Sequence, residues 1–261
     1  MADLPRTLGF GETFDMAAAQ TAGGQLLTLT AHRGHDEHPP HRHVNDYACI
    51  VLAGGFAELQ GARWHERSKG AFFVHEAGEA HHDRIGSHGA MCLNLHFGPD
   101  DPRPPSFEGR CSTTTQIAAG RLAFELAARS RDELVMAALA AEIMGQIQPI
   151  ESLADGGGWI DRVVEAISDE PARRWSLGEL AAIAGRHPVH VAQAFRARSG
   201  LSLGAFQRLR RLTTLSLALR RGETPLAILA AEYGYCDQSH MTSEFRTAFG
   251  TSPGRYRRDV H

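Results

Sequence analysis

No run of about eighteen consecutive apolar residues occurs, so no membrane-spanning helix and no membrane partner is expected. The four cysteines, Cys49, Cys92, Cys111 and Cys236, are far apart and form no C-x-x-C pair. That excludes the local zinc and dithiol motifs and predicts reduced, mostly buried thiols in a cytoplasmic protein. The opening MADLPRTLGFGETFD has no basic start followed by an apolar stretch, so no signal peptide is expected. Lysine is missing from Trp159 onward: residues 159–261 carry 15 Arg against 10 acids, a balance of +5. Residues 1–158 carry 12 Arg and Lys against 20 acids, a balance of −8. Opposite signs on the two parts suggest two domains with different partners, the basic one suited to nucleic acid.

The two parts also differ in texture. YACIVLAGG (47–55), GAFFVHEAG (70–78) and AMCLNLHFG (90–98) are short apolar runs ended by turn residues, which predicts strands of a sandwich or barrel. RLAFELAAR and RDELVMAALAAEIMGQI, within residues 114–147, have helical spacing. Leu134, Ala138, Ala141 and Met144 form a stripe there, widened by Leu139 and Ile143. The stripe either covers the barrel or makes a homodimer contact, and the dimer is the expectation. QPIESLADGGG (148–158) is expected to be a linker. Helices are predicted near 159–168, 177–184, 188–199, 203–220, 225–232 and 238–248. The expected domains are therefore 1–113, a helical packing segment 114–147, the linker 148–158, and an all-α domain 159–261.

Two helix-turn-helix patterns lie in that last segment. In the first, Ser176 and Glu179 form a capping box. Leu177, Leu180, Ala181 and Ala184 give an apolar face, Gly185 makes the turn, and Pro188 opens a helix with Val191, Ala194 and Phe195 inward. In the second, Leu226, Leu229 and Ala230 pack, Gly234 turns, Asp237 caps, and Met241, Phe245 and Phe249 face the core. The joining helix, 203–220, would be about 27 Å long at ~1.5 Å per residue. That length suits two recognition helices about one DNA turn apart, ~34 Å.

GYCDQSHMTSEFRTAFGTSPGRYR (234–257) and LGELAAIAGRHPVHVAQAFRARSGLSLGAFQRLRRL resemble the AraC/XylS family of transcription regulators over roughly 100 residues. The resemblance implies sequence-specific binding to the major groove of double-stranded DNA by both units of one chain. It puts base-edge contacts on Val189, Ala192 and Gln193, with His187, His190 and Arg196 beside them. In the second unit they fall on Gln238, Ser239, His240 and Ser243, with Arg246 beside them. His187 stands where a capping Ser or Thr is common, and Ala192 and Ser243 are short for base readers. RNA polymerase is a further partner such a regulator implies.

HRGHDEHPPHRH (32–43) holds five of the fifteen histidines. HRHVNDYACIVLAG and GAFFVHEAGEAHHDRI resemble the two motifs of a cupin, a small β-barrel. The resemblance puts His41, His43, Tyr47 and His81 in an effector pocket. His41, His43 and His81 could hold one divalent transition metal, zinc, iron, nickel or manganese. Tyr47 stands where metal-binding cupins carry an acid, and Asp46 points to the opposite face by strand alternation. His75 or His96 is left open as a fourth ligand. His32, His35 and His38 are expected to be the approach to the pocket, and His65, His82 and His88 surface residues. The expected protein is thus a ligand-responsive regulator sensing a small molecule or a metal. It is not expected to be an enzyme. The alternative is a three-histidine, dioxygenase-like cupin enzyme with a helical appendage.

Overall fold

Residues that alternate, or run apolar between turns, build a nine-stranded sheet in the first part of the chain. The computed structural model describes residues 5–101, 108–146, 158–222 and 224–258, so the expected linker lies almost wholly outside the described residues. The described chain divides into two compact units, one of residues 1–126 and 130–154, the other of 127–129 and 155–261.

In the first unit the longest strands are β5 (Tyr47–Gln60) and β8 (Ala80–His96), paired antiparallel along most of their length. The far half of β8 takes β3 (Gln25–His32), and β3 takes β2 (Met16–Ala22). The near half of β8 takes β4 (Glu37–His43), whose other edge takes β1 (Arg6–Leu8) in parallel. β5 also carries β6 (Arg63–Ser68) and β7 (Ala71–His75), and β7 carries the two-residue β9 (Gly109–Arg110). β5 bends at two register shifts, one at Val51/Ala53 and one at Gly54/Phe56. Gly54 sits at φ 65°, and a Cβ there would lie 1.9 Å from the Gly89 carbonyl oxygen. Only glycine lets the two strands approach so closely.

The sequence-predicted strands lie within or beside β5, β7 and β8. β4 was expected as an approach segment. It is a strand all the same, with His38, His41 and His43 buried and the residues between them exposed. A register shift between His38 and His41 absorbs Pro39 and Pro40, which have no N–H to give the ladder.

Two helices follow, α1 (Thr113–Ala127) and α2 (Glu133–Gln146). α2 buries Met136, Leu139, Ala140 and Ile143. The expected stripe divides: Leu139 and Ile143 are buried, whereas Leu134 is 80% exposed, Ala138 and Ala141 are exposed, and Met144 is half-buried. The helix is apolar nearly all round, so spacing alone did not select the inward face.

The second unit is entirely helical among its described residues: α3 (Trp159–Asp169), α4 (Leu177–Ala184), α5 (Pro188–Ser199), α6 (Leu203–Arg221), α7 (Leu226–Glu232), α8 (Gln238–Phe249) and α9 (Pro253–Arg258). α4 packs on α5, α7 on α8, and α6 touches α3, α5 and α9. Phe195 of α5 meets Phe206 of α6 with ring centroids 5.6 Å apart. Phe245 stacks on Phe249 at 4.2 Å and meets Tyr256 edge-on at 5.2 Å. Leu177, expected inside, is 40% exposed at the first turn of α4, and Ala194 is half-buried.

The caps are local chemistry. Ser176 Oγ accepts the Glu179 N–H at 3.2 Å, and Glu179 Oε2 accepts the Ser176 N–H at 2.8 Å. The Ser176 hydroxyl also donates to Glu179 Oε2 at 2.7 Å, and this bond, with the Ser176 N–H and Arg173, holds the Glu179 carboxyl at about 2. A carboxyl depressed in this way supports the fold above its unfolded value and loses that support as pH falls toward 2. Ser176→Ala is expected to cost about 1 kcal/mol of stability. It should also move the Glu179 titration up toward the ordinary carboxylate range, as NMR would read.

Candidate functional site

Two places gather chemistry-bearing side chains, one in each unit. In the helical unit, both turns set an exposed helix face. Gly185, left-handed at φ 62°, ends α4. His187 caps α5 with its own ring, Nδ1 accepting the Val189 N–H at 3.4 Å. The imidazole thus does the work of the missing Ser or Thr. Val191 and Phe195 face inward, which leaves Val189, His190, Gln193 and Arg196 exposed and Ala192 half-buried. His190 lies beside Trp159, ring centroids 5.8 Å apart.

Gly234 makes the second turn at φ 69°; a Cβ there would sit 2.4 Å from the Ala172 carbonyl oxygen. Asp237 Oδ1 accepts the His240 N–H at 2.7 Å and caps α8. Met241, Phe245 and Phe249 point in. Gln238, Ser239, Ser243 and Arg246 are exposed, and an open groove along α8 is lined by these four with Thr242 and Thr247. His240 is half-buried, its ring edge-on to Tyr235 at 5.3 Å.

The sheet unit encloses a histidine cluster. Strand register sets His41 of β4 directly across from His81 of β8, and alternation brings His43 to the same face. Ring centroids are 4.1 Å apart for His41–His81, 5.3 Å for His43–His81 and 5.3 Å for His41–His43. One nitrogen from each ring lies within 4.8 Å of the other two. All three residues are buried, and burial, with the neighbouring imidazoles, lowers their basicity, His43 to about 4. The rings are therefore neutral near pH 7, the form that ligates metals.

The hydrogen bonds leave nitrogens over. His41 Nδ1 donates to the Pro39 carbonyl at 2.9 Å, which turns its Nε2 into an acceptor. His43 Nδ1 and His81 Nδ1 are buried with no hydrogen-bond partner. Tyr47 OH lies 3.4 Å from His43 Nε2. Two further partners were left open or missed by sequence reasoning. His75 stacks on His81 at 4.2 Å, and its Nε2 lies 3.1 Å from Glu58 Oε1. Glu58 is wholly buried, accepts Arg67 Nε at 2.8 Å, and has its carboxyl raised by burial to about 7. The guanidinium beside it occupies the charge an ion would need, so Glu58 and His75 support the cluster from outside.

His96 is not part of it: Nε2 lies 3.0 Å from Thr28 Oγ1 and Nδ1 3.3 Å from Asn45 Nδ2. Asp46 also stays outside, accepting the Ala77 N–H at 2.7 Å. The approach histidines divide. His35 is exposed, while His32 and His38 line the same cavity as the cluster. That cavity measures about 40 Å³. His65 and His82 are half-buried and His88 is exposed.

Residues 180–259 match the family model described as a helix-turn-helix domain. Over 98 residues, 38% of this chain and 77% of the relative, the chain is 29% identical to the multiple antibiotic resistance protein MarA of Salmonella typhimurium. The helical part carries a helix-turn-helix domain of the AraC/XylS type, and the chain is a DNA-binding transcription regulator. It is also 34% identical over 95 residues to the right origin-binding protein of Escherichia coli, covering 36% of this chain and 32% of that one. Among solved structures, ToxT from Vibrio cholerae is similar at 8% identity and a TM-score of 0.38, over 90% of this chain and 98% of that one. The sequence matches fall in the helical part, where the exposed faces of α5 and α8 lie. An enzyme with a helical appendage is set aside: the helical part is a regulator's DNA-binding domain.

Proposed function

We propose that this regulator reads DNA with α5 and α8 and senses a divalent transition metal in a cupin-like sheet domain. On the DNA side, Val189, Ala192 and Gln193 meet base edges from α5, with His187, His190 and Arg196 at the backbone. Gln238, Ser239, His240 and Ser243 do so from α8, with Arg246 beside them. Because Ala192 and Ser243 are short, phosphate contacts and DNA shape supply much of the affinity.

The observation that carries the metal reading is the set of three buried imidazoles, His41, His43 and His81, with unpartnered nitrogens at a cavity of about 40 Å³. Pockets for organic ligands run to roughly 300–1,000 Å³. A volume near 40 Å³ suits an ion with a water or two. An unpaired buried ring nitrogen costs about 1–3 kcal/mol, which coordination would offset. Zinc, iron, nickel or manganese all accept three imidazoles with open positions. The chemistry the ion supplies is charge and coordination geometry within the sheet domain. Metal analysis of protein purified without a His tag tests this. At least about one equivalent is expected; less than about 0.1 equivalent, for a site of nanomolar-class affinity, would contradict it.

The dimer contact proposed is the open face of α2. Leu134 stands 80% exposed with Ala138 and Ala141 on exposed positions of the same helix. A large apolar side chain so placed favours burial against a second copy. Light scattering at micromolar concentration is expected to give a dimer, and Leu134→Glu a monomer. A wild-type monomer, with and without DNA, refutes the contact. RNA polymerase is proposed as the partner through which bound regulator acts on transcription.

A further inference from the structure

A second group of ligating side chains lies in the same cavity, outside the three-histidine cluster. Asp15 precedes β2, His32 ends β3 and His38 lies in β4. Asp15 Oδ2 is 3.2 Å from His32 Nδ1 and 3.3 Å from His38 Nε2. One donor atom from each residue lies within 4.8 Å of the other two. Asp15 holds this position at φ 49°, a left-handed conformation uncommon for a residue with a side chain.

We propose that Asp15, His32 and His38 form a second binding site for a divalent transition metal. Two imidazoles and one carboxylate are a donor set suited to zinc, iron(II) or manganese(II). The two histidines are buried, at 8% and 6% exposure, whereas the Asp15 side chain is 41% exposed. The site is therefore rigid on the protein side and open on the carboxylate side, where an ion enters and water completes its coordination.

The partners of the ligands point the same way. His38 Nδ1 lies 3.4 Å from Asp83 Oδ2, so both nitrogens of one ring face carboxylate oxygens. A neutral imidazole has one proton to give. With Nδ1–H donated to Asp83, the Nε2 lone pair faces Asp15 Oδ2, and only a cation between them relieves the repulsion. A carboxylate behind a histidine is also the arrangement that orients metal-ligating imidazoles.

The competing cation is a proton, which would make the group an ion-pair network. The site is separate from the first cluster: His38 and His41 have ring centroids 6.5 Å apart. Phe14 packs against both rings, stacked on His38 at 4.6 Å and edge-on to His41 at 4.8 Å. This inference does not depend on the three-histidine reading.

The test is zinc stoichiometry on the full chain, untagged and stripped with chelator, by calorimetric titration and by metal analysis after desalting. Wild type is expected to bind two equivalents with Kd below about 1 μM. Asp15→Asn and His32→Asn are each expected to lose one, or weaken it at least tenfold. His81→Ala should lose the other, and Asp15→Asn/His81→Ala both. Circular dichroism melts check that each variant is folded, and two substitutions on different strands keep the test usable if one is not. Cobalt(II) absorption of wild type and His81→Ala gives a readout independent of Asp15 variants: an absorbing, bound cobalt in folded His81→Ala supports the second site. If Asp15→Asn and His32→Asn both retain wild-type stoichiometry and affinity, the group is an ion-pair network and the proposal fails. If wild type binds one equivalent that only the Asp15 and His32 variants lose, the second site stands and the three-histidine site falls. If that single equivalent is lost only in His81→Ala, the reverse holds.

Discussion

His81→Ala is expected to weaken zinc binding at the three-histidine cluster by at least about 100-fold. Loss of a group that merely orients a ligand costs about 10- to 100-fold, and His81 is proposed as a ligand itself. It is also the hub of the cluster: its ring lies 4.1 Å from His41, 5.3 Å from His43 and 4.2 Å from His75. His75→Ala removes a neighbour instead of a ligand and is expected to cost less. Competition against a chromophoric chelator gives both affinities. Equal losses in the two variants would mean that His75 ligates as His81 does, and the division drawn between cluster and support would be wrong.

The second large effect is on DNA. Gln193→Ala and His240→Ala are each expected to weaken specific binding by about 1–3 kcal/mol. They lie on different helices, so the double variant is expected to lose about 2–6 kcal/mol, close to the sum. Neither side chain is part of the buried core, so the melting temperature should hardly move. His240 packs against Tyr235, and the substitution could act by loosening that contact. His240→Gln separates the two: it keeps a polar side chain of similar reach while losing the ring. Footprints and affinities unchanged in the double variant would show that the faces of α5 and α8 are not the reading surfaces. Phe245→Ala is the contrasting case. Phe245 is wholly buried, and its truncation is expected to cost about 3–5 kcal/mol of stability and take DNA binding with it.

The helical part was legible because its signals are local. A capping Ser176, a turn at Gly185, Pro188 at a helix start and Asp237 before α8 each act within four residues. α9 was not foreseen. Its six residues, PGRYRR, carry one aromatic and three arginines, and only packing of Tyr256 against Phe245 and Phe249 makes them a helix with a buried side. In the sheet part, apolar runs marked β5, β7 and β8, but β4 has almost no strand-forming composition. Its burial is carried by imidazoles, and those are buried only because β8 lies beside them.

The site was legible by halves for the same reason. His41, His43, Tyr47 and His81 could be brought together by alternation and a motif resemblance. Sequence reasoning singled out none of Glu58, Asp83 and Asp15. A signal was present in HHDRI: His81, Asp83 and Ile85 share one face by period two, and Ile85 marks that face as buried. Arg67 reaching Glu58 from β6, and Asp15 reaching His32 and His38 from a turn, are contacts of the tertiary fold that no spacing encodes.

The most direct measurement is a footprint on the DNA upstream of the neighbouring gene, using full-length protein stripped of metal and then supplied with zinc. Two protected segments about 10 base pairs apart, centre to centre, are expected. The affinity is expected to change at least tenfold on adding zinc to wild type and to stay constant for His81→Ala. A footprint and affinity identical with and without metal, in protein shown to bind zinc, would contradict the claim that the histidine cluster signals to the DNA-binding helices.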